Sequence, residues 1–256
     1  MRTEELAARW REQLEAWAIP PEILAQAPAD PWTHRVERFA TRTARMVAEP
    51  KGPTYERSRE ASPTSVLDVG AGTGAASLGL LPAKLIAVDE NPGMLAELSR
   101  RAPEATTILG RWPDVAKEAD GADVVICSHV VFNVPDLVPF LTELTAHARR
   151  RVVLELPRRH PTSWLTPLWS HFHGLARPTG PTSDDVAALC LSLGYDIRQE
   201  THLAPDAPYE TVEEMADAAC RRLCLDPARA PEVIEVAEWP LPRATYVTLW
   251  WDVSPR

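Results

Sequence analysis

The chain has 256 residues, 45% apolar and 25% charged, a composition of ordinary globular proteins that excludes disorder as the overall state. Its formal charge of −9 is the wrong sign for affinity drawn from neutralising phosphates, so nucleic acid is disfavoured as a partner. No apolar run approaches the ~20 residues that span a bilayer, and Glu4, Glu5, Glu12 and Glu15 stand where a secretory signal would need a basic and then an apolar stretch, so a cytoplasmic location and no membrane partner are expected.

In chain order, Leu6, Trp10, Leu14 and Trp17 recur at helical spacing until Pro20-Pro21 stops the run, which predicts a first helix over about 4–18. Asp30-Pro31 offers an N-cap followed by a first-turn proline. Val36, Phe39, Thr43 and Met46 continue the period, predicting a second helix over about 31–47. Lys51-Gly52-Pro53 and Ser62-Pro63 then punctuate the chain, so residues 1–64 are read as a helical extension or cap ahead of a main domain at 65–256.

From Ser65 short apolar runs alternate with helical stretches, the pattern of βαβ units and a parallel sheet. Strands are expected at Ser65–Val69, Lys84–Val88, Thr106–Leu109, Ala122–Cys127 and Arg151–Leu156. Helices are expected between them at about 74–81, 92–101, 113–119 and 136–149. An aromatic and proline-rich connection follows at 157–182, then a helix capped near Ser183 that ends at Gly194, a strand over 195–203, two acidic helical segments inside 210–238 and a last strand over 243–251. The stretches 157–182 and 204–240 read as substrate-side or peripheral insertions. The acidic excess is local: residues 196–240 hold eleven acidic and four basic side chains. Cys127, Cys190, Cys220 and Cys224 form no CxxC pair and no disulfide framework, which leaves them as buried free thiols.

The stretch that carries chemistry is Val66-Leu67-Asp68-Val69-Gly70-Ala71-Gly72-Thr73-Gly74-Ala75, which leaves a strand. Glycines at 70, 72 and 74 let the backbone turn sharply and let a ligand come where a Cβ would collide. The run also satisfies a dinucleotide fingerprint, but Asp68 before the first glycine would repel a pyrophosphate and favours a ligand bearing an ammonium or sulfonium charge. Asp89 ends the next strand twenty-one residues later, placed to accept hydrogen bonds from both hydroxyls of a ribose.

Together these motifs resemble the class I S-adenosylmethionine (SAM)-dependent methyltransferases, over roughly residues 64–251. The resemblance implies an α/β fold: a doubly wound, mostly parallel seven-stranded sheet with an antiparallel last strand. It implies SAM as cofactor and S-adenosylhomocysteine (SAH) as product. The cofactor would be held by Asp68, Gly70, Ala71, Gly72, Gly74, Asp89, Glu90, Met94, Arg111, Trp112, Ser128 and His129. Arg111 departs from an acid that many members carry there for the adenine amino group, and Trp112 is a candidate to lie against the ring, with a core role as the alternative.

An oxygen acceptor usually needs a base. His129, His160, His171 and His173 follow strands or lie in the long connection, within reach of the carboxyl edge of the sheet, whereas His34 and His147 fall on helix surfaces. His129, directly after the fourth strand, is the best single candidate. His171-x-His173 lacks acidic partners at ligand spacing, so no metal is expected. A small or polyhydroxylated metabolite is the expected acceptor, methylated on oxygen or nitrogen, with ribosomal or transfer RNA, served by the basic residues of 35–59, as the alternative and a non-catalytic SAM-binding protein as a third. Trp10, Trp17, Trp32, Trp164 and Trp169 are expected to wall the acceptor cavity.

Overall fold

The computed structural model describes residues 2–32 and 36–253. Four helices come first: α1 (Thr3–Glu15), α2 (Pro21–Leu24), α3 (Val36–Ala48) and α4 (Pro53–Glu60). The sheet then begins with β1 (Ser65–Val69), β2 (Lys84–Asp89), α5 (Pro92–Arg101), β3 (Thr106–Leu109), β4 (Ala122–Ser128), α6 (Leu137–His147) and β5 (Ala148–Pro157). The remaining elements are α7 (Thr166–His173), α8 (Ser183–Ser192), β6 (Arg198–Leu203), α9 (Val212–Arg222), α10 (Ala230–Val236) and β7 (Thr245–Asp252).

The seven strands lie in the order β3-β2-β1-β4-β5-β7-β6. Six are parallel, and β7 alone runs antiparallel, between β5 and β6. The order reverses between β1 and β4, which places a crevice outside their carboxyl ends, where open α/β sheets bind ligands. β1 is buried along its whole length, as a central parallel strand must be when helices cover both faces. One face carries Leu67, Val69, Val125, Cys127, Val152 and Leu154 against α6 and α8, joined by Leu6 and Trp10 of α1. The other carries Val66, Ala87, Val124, Ile126 and Val153 against Leu95 and Leu98 of α5. A satellite core gathers Leu168 and Trp169 of α7 with Met215, Ala216 and Ala219 of α9 and Val233 of α10.

Local chemistry explains most of the boundaries. Asn91 caps α5 by accepting from the Gly93 and Met94 amides, with Pro92 in the first turn. Thr182 and Asp185 form a capping box that starts α8. All four cysteines are free and buried, and among the described residues no helix is long and apolar enough to cross a membrane.

Several expectations are corrected. The stretch 74–81 is a series of turns with a single 3-10 turn at Leu78–Leu80, because Gly74 sits at φ +87° and Leu81 at φ +49°, neither compatible with a right-handed helix. Residues 113–119 likewise hold only a 3-10 turn, Ala116–Glu118, before Asp120-Gly121 leads into β4. The first helix ends at Glu15 and leaves Trp17 in the following turn. The second begins at Val36, with Trp32 in a turn ahead of it, while His34 and Arg35 lie outside the described residues. Helices α2, α4 and α7 form where punctuation or connection was read. β5 starts three residues earlier than expected, at Ala148, which pairs with Ala122, and β6 three residues later, at Arg198.

Candidate functional site

The glycine-rich run leaves β1 at the crevice. Gly70 has φ +71°, and a Cβ there would lie 2.2 Å from Val130 Cγ2, so the loop after β4 closes directly onto this backbone. Gly72, at φ +53°, has no heavy atom within 4 Å of where its Cβ would be, so the approach to its backbone is open to a ligand. Its amide donates to Asp89 Oδ2 at 2.8 Å, while Asp89 Oδ1 accepts from the Asn91 amide at 2.8 Å. The carboxylate at the end of β2 therefore holds the glycine loop and keeps further lone pairs for hydroxyl donors.

Asp68 is 1% exposed. Both its oxygens are sealed from solvent without a well-formed hydrogen bond, and the Ser77 hydroxyl beside them is in the same condition. Burial pushes its carboxyl up to about 7; the Ser77 hydroxyl holds part of that shift back, and the Asp89 charge adds to it. A buried carboxylate without a donor is costly, and an ammonium group placed against it would remove the cost. Orphaned acid, open glycine backbone and Asp89 together fit an aminoacyl-nucleoside such as SAM.

Ala71 is buried under the loop and Met94 in the first turn of α5, whereas Glu90 is exposed. Arg111 is exposed and donates to the Asn133 carbonyl at 2.9 Å, tying the turn after β3 to the loop after β4. Trp112 takes the core position: it is 4% exposed, its indole N–H points at the Phe140 carbonyl at 3.4 Å, and its ring meets His147 edge-on. His147 is likewise no free surface group, since its two ring nitrogens lie 2.8 and 3.0 Å from the Glu143 and Ala116 carbonyls.

Ser128 and His129 end β4 beside a residue that sequence reasoning missed, Glu155 of β5. His129 Nε2 lies 3.1 Å from Glu155 Oε1, and the Ser128 hydroxyl donates to the same oxygen at 3.2 Å. Thr54 of α4 donates to Oε2 at 2.6 Å, and His202 Nε2 of β6 lies 3.5 Å from it. Burial alone would raise the Glu155 carboxyl, but donation from His129, His202 and Thr54 outweighs it and holds the group well below its usual range. His129 itself is in the left-handed region at φ +62°, fixed by its amide donating to the Glu155 carbonyl at 2.7 Å. A non-glycine residue held there is a local strain of the kind that clusters at functional sites.

The other histidines are spread out. His160 stacks on Trp17 at 4.1 Å, and burial, then the charges of Arg177 and Arg222, pull its imidazole down to about 3, so it is neutral. His173 bonds the Leu223 carbonyl, and His171 packs edge-on against Phe172. Of the five tryptophans expected to wall a cavity, Trp10 is fully buried with its N–H on the Val134 carbonyl, and Trp164 leans on Tyr209. Trp17, Trp32 and Trp169 do share a small cleft, with Arg177 and Arg222 between them.

Residues 66–151 match the family model described as a methyltransferase domain. The strand order and the single antiparallel strand are those of the class I SAM-dependent methyltransferase fold. No curated protein matches the chain by sequence. Among solved structures, the chain is similar to magnesium protoporphyrin IX methyltransferase (ChlM) from Synechocystis PCC 6803 with bound SAH, at 16% identity over 94% of each chain and a TM-score of 0.52. It is also similar to the plantazolicin methyltransferase BamL, solved with a triazolic substrate analogue and SAH, at 11% identity over 98% of this chain and 97% of that one, with a TM-score of 0.52. The YcgJ protein from Bacillus subtilis aligns at 14% identity over 84% of this chain and 99% of its own, again with a TM-score of 0.52. At these identities the likeness is one of fold.

Proposed function

We propose that this methyltransferase moves the methyl group of SAM to an oxygen or nitrogen of a small metabolite in the cytoplasm. The observation that carries the reading is Asp68, a buried acid without a well-formed hydrogen bond, set beside the glycine loop that Asp89 holds. Asp68 would take the amino group, the loop backbone the carboxylate end and Asp89 the ribose diol, with Met94, Glu90, Arg111 and Ser128 around them. SAM supplies a methyl group on a sulfonium, and its transfer is an in-line displacement in which positive charge disperses. Much of the rate then comes from holding the acceptor in line.

The small-metabolite reading is supported by what became of the basic stretch. Arg45 is paired with Asp206, Arg57 with Glu56, Glu60 and Glu200, and Lys51 with Glu49. Arg38 bonds the Pro208 carbonyl and lies over Tyr209. These cations are spoken for by acids and carbonyls, so the strip an RNA backbone would need is largely neutralised. His129 is the candidate base.

Titration calorimetry with SAH, SAM and NAD tests the reading. Heat with SAH and SAM and none with NAD is expected; binding of NAD alone would overturn it.

A further inference from the structure

Glu155 is buried, ionised and surrounded by polar groups, and its partners come from three separate elements, α4, β6 and the end of β4. A carboxylate only accepts hydrogen bonds, so each group facing it must present a hydrogen. Ser128 and Thr54 do so with hydroxyls. His129 and His202 face it with Nε2, at 3.1 and 3.5 Å, and His129 Nε2 is buried with no other polar partner, its approach to the carboxylate short of a well-formed hydrogen bond. In the neutral form, a ring nitrogen turned to a carboxylate is the one that carries the proton, which leaves the lone pair on Nδ1.

The two Nδ1 atoms differ in an informative way. His202 Nδ1 is buried and has no hydrogen-bond partner, an acceptor waiting for a donor. His129 Nδ1 makes no hydrogen bond among the described residues, and its ring is 30% exposed. Tyr246 of β7 meets both rings edge-on, at 4.6 and 5.9 Å. The cluster also sits at the glycine loop, because Val130, next in chain to His129, is the side chain that closes onto Gly70.

We propose that Glu155 is a positioning residue that fixes the His129 proton on Nε2, so that Nδ1 is the base and the methyl acceptor is a hydroxyl compound. This rests on the methyltransferase reading and deepens it. The acceptor oxygen gives its proton to His129 Nδ1 as it bonds the methyl carbon, and the C–S electron pair stays with sulfur. The imidazolium so formed lies against the Glu155 carboxylate, which holds its charge. An amine acceptor, whose lone pair is already available, would not need this arrangement.

The test uses 15N-labelled full-length protein saturated with SAH. Long-range 1H–15N spectra of the imidazoles, assigned with His129→Asn and His202→Asn, should show His129 as the Nε2–H tautomer with its proton protected from exchange. Glu155→Gln should abolish that protection. An Nδ1–H tautomer, or protection unchanged in Glu155→Gln, overturns the proposal. Methyl-labelled SAM incubated with a polar metabolite extract should place label in O-methyl products, with Glu155→Gln slower by tenfold or more, within the range of general-base effects, at an SAH affinity unchanged within twofold. Label confined to N-methyl products, no transfer despite SAH binding, or an unchanged rate also overturns it. Absence of SAH binding in the wild type instead sinks the methyltransferase reading and leaves the tautomer result standing by itself.

Discussion

Asp68 gives the sharpest prediction because its burial and its role oppose each other. The carboxyl is pushed from 3.8 to about 7 in the folded protein, and each unit of pKa is worth about 1.4 kcal/mol. The sign follows from proton binding: between pH 4 and 7 the native state keeps a proton that the unfolded state has released, so stability falls as pH rises through that window. The full loss, reached above pH 7, is about 4 kcal/mol. Asp68→Asn removes the ionisation and leaves a buried amide that costs a constant amount at every pH. Urea denaturation of both proteins from pH 4 to 8.5 should therefore show a stability difference that moves in favour of the variant by about 4 kcal/mol across the range. SAH should narrow the gap at high pH by supplying the ammonium that the acid lacks, and should bind the variant more weakly. A difference independent of pH would refute the burial argument, and a variant that binds SAH as tightly as the wild type would remove Asp68 from the cofactor site.

Three further perturbations separate cofactor site from scaffold. Asp89→Ala should weaken SAH binding by about 1.5–3 kcal/mol, the scale of hydrogen bonds to a charged group, measured by calorimetry with circular dichroism as the fold control. Asp123 accepts from Thr64 and Ser65 at the start of β1; burial would raise it, but these bonds and Arg150 bring it down to about 2. It should contribute about 2 kcal/mol above pH 5, lost as pH falls from about 4 to 2; Asp123→Asn should lack that acid limb in urea titrations. Trp10→Ala should cost about 3–5 kcal/mol in chemical denaturation, showing that α1 completes the core; a change under 1 kcal/mol would return α1 to the role of a removable cap.

What was legible in the sequence and what was not divides along sequence distance. Asp68, the three glycines and Asp89 report themselves because their meaning is local: a turn that needs positive φ, an acid two residues before it, an acid at the next strand's end. The strands of the parallel sheet were readable for a similar reason, as short apolar runs between helices. The helix expected over 74–81 fails at the same glycine: Gly74 sits at φ +87° with Leu78 packed where a Cβ would be, so it cannot start a helix, and periodicity does not see that conflict. Trp112 was ambiguous because the residues that claim it, Phe140 and His147, arrive from α6. Glu155 is the extreme case. In Arg151-Val152-Val153-Leu154-Glu155 it alternates like any polar residue of a half-covered strand. Its partners stand at Thr54, Ser128, His129 and His202, brought together only when α4, β4 and β6 converge on β5. A cofactor can be recognised by one loop and the strand beside it, so its signature survives in a single stretch of chain. A cluster like that around Glu155 is assembled from elements that no spacing rule connects, and its chemistry becomes visible only after the sheet order is known.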